Sequence, residues 1–200
     1  MKKRLVTALL SLCLLLSMSG CMGDKPENII DKFCTAVIAY DEKTASQYIV
    51  DGNPEGFVPQ LEIDSDADTT SIIEYIKENA SNITYEIGEV SIDEDYATVP
   101  VHFTFVDASP IMVSTLSDYL SQAFLLAFSG VDDSAIDTLL VTIFNEKVDT
   151  VDAAEASIDI DFACEKVDGD WKISILSEEI RDDLMAVLTC NITKANETFW

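Results

Sequence analysis

Apolar side chains recur at three- and four-residue spacing over residues 26–40, where Ile29, Ile30, Phe33, Cys34, Val37 and Ile38 make one stripe. That period predicts an amphipathic helix with one buried face. Pro26 suits the first helical position, Glu27 the first turn, and Asp24 stands where a capping side chain is expected. A short second helix is predicted over 42–49, a turn at Asp51-Gly52-Asn53-Pro54, a loop over 56–68 and a third helix over 69–79. In the third, Ile72, Ile73 and Ile76 point inward and Glu74, Lys77 and Glu78 outward.

The period then drops to two. Ile83, Tyr85 and Ile87 alternate with Thr84 and Glu86, and the parity slips at Gly88-Glu89 before Val90 and Ile92 resume, which predicts a bulge. Asp93-Glu94-Asp95 marks a hairpin turn into a strand over 98–106, with Val99, Val101, Phe103 and Phe105 on one face. A further strand is predicted within 149–166, its inward set being Ile158, Ile160, Phe162 and Cys164. Asp168-Gly169-Asp170 turns the chain tightly into Trp171, Ile173 and Ile175. A closing helix over 177–188 starts at Ser177, with Glu178 and Glu179 in its first turn.

Between the two hairpins lies an apolar stretch, 110–147, that reads as two helices joined at Gly130. Met112, Leu116, Tyr119, Leu120, Ala123, Phe124 and Ala127 stripe the first; Ile136, Leu139, Leu140, Ile143 and Phe144 stripe the second. The first also carries Leu125, Leu126 and Phe128 and is apolar nearly all round. Asp118, Gln122 and its serines oppose a membrane span, so it is expected to be buried on two sides, as a lid over a cavity or a contact with another chain.

Composition sharpens this α+β pattern. The 200 residues carry 37 acidic and 12 basic side chains, a net charge of −25. Without Lys2, Lys3 and Arg4 the balance is nine basic against 37 acidic, or −28. Such a chain is repelled by phosphate backbones, which excludes a nucleic-acid partner. A hydrophobic fraction of 48% is that of a globular domain, and the length suits one domain over 26–200.

Residues 1–20 are laid out as a secretory signal: Lys2-Lys3-Arg4, an apolar run over 5–16, then Ser17-Met18-Ser19-Gly20. The apolar run is shorter than the roughly 20 residues a spanning helix needs. Met18-Ser19-Gly20-Cys21 resembles the lipobox of bacterial lipoproteins, with Met18 where leucine is commonest. The resemblance implies that the Cys21 thiol carries a diacylglyceryl group and becomes the mature N-terminus. Residues 21–25 are then a short tether, and the expected location is outward-facing on the cell membrane, with the lipid bilayer as partner through the acyl anchor.

Of the five cysteines, Cys34, Cys164 and Cys190 remain for the domain. An odd number permits at most one bridge, and buried thiols are the expected state. Asn82, Asn191 and Asn196 open glycosylation sequons, read as chance in a bacterial lipoprotein.

The order of helices, hairpin, helical connection, a hairpin ending in Asp168-Gly169-Asp170-Trp171-Lys172-Ile173 and a last helix, together with the lipobox, resembles small lipoproteins of unknown function with a nuclear-transport-factor-2-like (cystatin-like) domain. The resemblance covers residues 26–188, with 26–40 and 169–175 carrying most of it. It implies a curved antiparallel sheet wrapped around the N-terminal helices, forming a cone-shaped pocket, with a two-helix insertion between hairpins that is longer than the fold usually holds. The pocket residues expected from inward parity are Tyr85, Val101, Phe103, Phe105, Ile160, Phe162, Trp171 and Ile173.

That inward set holds no carboxylate or imidazole. His102, the single histidine, falls between Val101 and Phe103 and points to the other face. An acid–base enzyme needs an ionisable group in the pocket, so no catalytic residue, metal or cofactor is expected. Asp64-x-Asp66-x-Asp68 opens like a calcium loop, but Thr69 replaces the required glycine and Tyr75 the closing glutamate. Asp159 and Asp161 face outward, as a solvated acidic face or a weak cation site. The expected function is a non-enzymatic binding module for a hydrophobic ligand, peptide or partner protein. The alternatives are an isomerase- or hydrolase-type enzyme using a helix-borne acid, and an envelope assembly protein acting through the insertion helices.

Overall fold

The computed structural model describes residues 24–52, 57–59, 70–129, 138–174 and 176–195. Within them the chain is α+β: a curled antiparallel sheet shaped as a half-barrel, with seven α-helices. The order is α1 (Pro26–Ile38), α2 (Glu42–Ser46), α3 (Thr70–Ala80), β1 (Thr84–Ile87), β2 (Ser91–Asp93) and β3 (Tyr96–Asp107). Then come α4 (Ser109–Ser129), α5 (Leu139–Thr150), β4 (Ala154–Val167), β5 (Asp170–Ile173), α6 (Glu178–Leu188) and α7 (Ile192–Ala195).

The sheet runs β1-β3-β4-β5, with β2 also on β3. Its spine is the β3–β4 pair, in unbroken register from Tyr96↔Glu165 to Asp107↔Ala154. The expected bulge is present: Ile87 faces Val101 but Ser91 faces Thr98, so four steps on one strand match three on the other. Gly88 N–H donates to the Pro100 carbonyl at 2.8 Å, and a β-carbon on residue 88 would stand 3.0 Å from the Pro100 ring. That close approach accounts for glycine at the slip. Asp168 and Gly169, both at positive φ, make the two-residue turn into β5.

Alternation decides the two faces. Ala97, Val99, Val101, Phe103 and Phe105 of β3 are buried with Ile160, Phe162 and Cys164 of β4, while Thr98, His102, Asp159 and Asp161 face solvent. The buried face joins α1 and α6 in one core, where Ile30, Phe33, Val37, Leu184 and Leu188 are almost wholly enclosed. A second core gathers Ile76 of α3, Ile111 and Met112 of α4, Phe144 of α5, and Cys190, Ile192 and Ala195 at the C-terminal side. Tyr40 packs against both.

Several boundaries differ from expectation. α1 is preceded by Lys25 with no side-chain cap; Asp24 lies one residue too early and binds Lys32 instead. α1 ends at Ile38 and α2 at Ser46, and the Asp41 carboxylate caps α2 by accepting from Thr44 N–H at 2.9 Å. α5 continues to Thr150, so β4 begins only at Ala154. The insertion connects β3 to β4, which are themselves paired along their length. The residue 56–68 loop falls largely, the turn at Asn53-Pro54 and the Gly130 junction entirely, outside the described residues.

Candidate functional site

Seven of the eight residues expected to line a pocket are core. Val101, Phe103, Phe105, Ile160, Phe162, Trp171 and Ile173 are all buried, and they belong to the same cluster as α1. Phe33 is wholly enclosed (0% exposed) and fills the concavity, its ring meeting Phe162 edge-on at 5.6 Å and Phe57 at 5.7 Å. Their burial has a simple cause: an apolar inward face is what a curled sheet needs to hold a helix, and α1 presents a stripe wide enough to occupy it. Alternation alone does not separate a lined hollow from a filled one.

Trp171 borders a hollow of about 300 Å³ shared with Asp24, Ile29, Tyr48 and Lys172. Its indole also lies under the Lys166 ammonium, 4.9 Å from the ring centre. Tyr85, the eighth, is half-buried on β1. Its hydroxyl donates to Asp31 Oδ1 at 2.8 Å and lies 3.2 Å from the Thr35 hydroxyl. Burial raises the Tyr85 phenol above its ordinary value. Asp31 is therefore a helix-borne acid beside a tyrosine, but it is exposed to solvent.

A separate open groove of about 730 Å³ runs between α1, α2 and α3. Ile38, Tyr40, Val58 and Ala80 form its floor, with Asp41, Lys43 and Lys77 among its polar lining, and none of the eight expected residues lines it. His102 is exposed, with Nδ1 2.6 Å from Oδ1 of its cross-strand partner Asp159. No group of three or more His, Cys, Asp or Glu among the described residues is arranged to hold a metal. Cys21 and Asp64-Asp66-Asp68 lie outside the described residues. Cys34, Cys164 and Cys190 are free and buried.

The unusual surface is on α4. Its first half packs into the second core through Ile111 and Met112, with Thr115 buried and its hydroxyl bonded to the Ile111 carbonyl at 2.8 Å. Its second half is covered on one side only. Leu116, Tyr119, Ala123 and Leu126 are half-buried, and Asp118 is tied to Lys147 of α5. Leu120, Phe124, Leu125 and Phe128 are 56%, 65%, 68% and 78% exposed. The rings of Phe124 and Phe128 stack obliquely, 4.7 Å between centres. Within this one chain the helix is covered on one side, so its other side is not shut in as a lid over a cavity. Leu120 and Phe124, placed in the inward stripe, point out. No helix among the described residues is long and apolar enough to cross a membrane.

Compared with known proteins, the chain matches no family model, no curated protein and no solved structure.

Proposed function

We propose that this chain is a lipid-anchored, outward-facing protein of a bacterial envelope. Its single domain is a variant of the nuclear-transport-factor-2-like (cystatin-like) roll that works as a non-enzymatic binding module, engaging a protein through the outer face of α4. Four large apolar side chains at half to three-quarters exposure on one helix carry this reading. They form a patch of about 500 Å², near the upper end of what an ordinary monomer leaves in water. The filled concavity turns the reading from a pocket ligand toward a macromolecular partner. The lipobox at Cys21 and the basic-apolar signal before it support the anchor.

A photoreactive phenylalanine analogue at position 124 of the full chain, on its own membranes, tests the docking face. A protein adduct at 124, absent when the analogue replaces exposed Thr98, is the expected result. Adducts with lipid alone, or none, would sink the reading.

The Tyr85–Asp31 contact favours a second reading, an isomerase- or hydrolase-type enzyme with a helix-borne acid. Asp31 is open to water and neither residue lines the hollows described above, so the pair serves better as a tie between α1 and β1.

A further inference from the structure

The outer face of α4 has a shape that selects among occupants. Leu120, Phe124 and Phe128 succeed one another every four residues and make a ridge along the helix. Beside it, Ser117 and Ser121 make a shallow groove, and Leu125 rises beyond them. The Ser121 hydroxyl donates to the Ser117 carbonyl at 2.9 Å, so covering the groove does not strand that donor. A ridge of this spacing fits the groove of an identical helix related by a two-fold axis.

Charge points the same way. The chain carries 37 acidic side chains, so two copies repel each other over most of their surfaces. Residues 119–129 contain no Asp, Glu, Lys or Arg, and neighbouring Asp118 is neutralised by Lys147. Here a second copy can approach without opposing like charges. The area is also sufficient. The four apolar side chains of two copies supply about 1,000 Å², the threshold at which an interface becomes specific.

The bilayer is the poorer occupant. Asp24, within the short tether behind the proposed lipid-bearing Cys21, borders the hollow at Trp171 and Lys172, beside the β4–β5 turn. α4 springs from Asp107, paired with Ala154 at the opposite end of β4, about 40 Å of strand away.

We propose that two copies of this chain associate through antiparallel α4 helices, the Leu120/Phe124/Phe128 ridge of each lying in the Ser117/Ser121 groove of the other. The inference rests on the docking role of α4 proposed above and goes beyond it by naming the occupant. Because Cys34, Cys164 and Cys190 are buried, a cysteine introduced on the face is the reactive one in the domain. In the full chain on membranes, mild oxidation of Ser121→Cys should give a disulfide-linked dimer, and Thr98→Cys should not. Leu125→Cys repeats the test one turn further along the Ser117/Ser121 row. Adding Phe124→Glu to Ser121→Cys should cut the dimer roughly tenfold or more, as loss of a central aromatic anchor does. Raising the salt should increase the yield by screening acidic repulsion. Yields from Ser121→Cys and Leu125→Cys no higher than from Thr98→Cys would overturn the second copy. So would a photo-adduct at position 124 with a different protein, which leaves the docking face standing. No protein adduct at 124 removes both.

Discussion

The Tyr40 hydroxyl donates to the Leu188 carbonyl at 2.7 Å, so the end of α1 closes the end of α6. Tyr40 has φ +55°, a left-handed conformation in which a non-glycine residue stores about 1 kcal/mol or more. It turns the chain so that Asp41 N–H reaches back to the Ala36 carbonyl at 2.9 Å and Tyr40 N–H to Val37. α6 ends in the same way, with Cys190 left-handed and Asn191 N–H on the Ala186 carbonyl. Leu188 is left with a helix-end carbonyl lacking a partner within the helix, and Tyr40 supplies it. Tyr40→Phe should therefore cost about 1 kcal/mol in urea unfolding, the worth of one such bond. Tyr40→Gly should cost more despite relieving the backbone, because it also removes the ring packed between the two cores.

Phe33 is the residue that makes the concave face a core. Its replacement by alanine should lower stability by about 3–5 kcal/mol, the range for a buried phenylalanine. The variant should also gain a site: a dry cavity against Phe162 and Phe57 that takes up benzene and is stabilised by it. A thermal melt of Phe33→Ala with and without benzene measures both. A parent protein stabilised equally would show that the hollow was never filled.

Burial pushes the Cys164 and Cys190 thiols up to about 11, Asp107 adding to the effect at Cys190. Cys34 and Tyr40 are raised too, chiefly by burial. The folded state thus holds these protons more tightly than the unfolded chain, whose thiols titrate near 9. Stability is complete below pH 9 and declines as the pH rises toward 11, because only the unfolded chain gains by releasing protons there. The urea midpoint should fall over that window, and Cys164→Ala should flatten the slope. In the native protein at pH 8 a thiol reagent should label Cys34, Cys164 and Cys190 only as fast as the domain unfolds.

Strand parity, the slip at Gly88, the tight turn at Asp168-Gly169 and the Ser177 cap were all legible in the sequence, because each is a local consequence of side-chain period or turn chemistry. Ser177 does accept from Ile180 N–H, at 3.2 Å. What parity cannot carry is occupancy. Whether Val101 and Phe162 face a cavity or a helix depends on α1, which lies far from them in sequence. The same limit applies to α4. Its all-round apolar pattern records that both sides avoid charge, and only the placement of α5 along one side shows that Leu120, Phe124, Leu125 and Phe128 are left outside. α1 goes without a side-chain cap because its capping position is Lys25, and Asp24, a good capping residue by type, stands one place too early.

The proposed lipid attachment depends on one sulfur. Cys21→Ala should abolish incorporation of labelled palmitate, since it removes the thiol to which the lipobox resemblance assigns the acyl group. Two acyl chains hold a protein on the bilayer where one does not, so the parent chain should stay with membranes through a high-salt wash. An unaltered label in the Cys21→Ala variant would remove the anchor from the proposal.

α4 offers an internal comparison, since one helix carries both a core-facing and a solvent-facing apolar set. Ile111→Ala should cost about 2–5 kcal/mol, because Ile111 is enclosed by the second core and its removal leaves a void. Phe124→Gln and Leu125→Gln should change stability by about 0.5 kcal/mol or less, because those side chains already stand in water. A hydrophobic residue whose loss costs the fold nothing has no folding reason to be hydrophobic. If urea unfolding instead shows Phe124→Gln to be as damaging as Ile111→Ala, the outer face is packed against this same chain and the docking surface is withdrawn. If the two differ as stated, position 124 takes a polar side chain without harm to the fold, and the loss of cross-linking on adding Phe124→Glu reports on association.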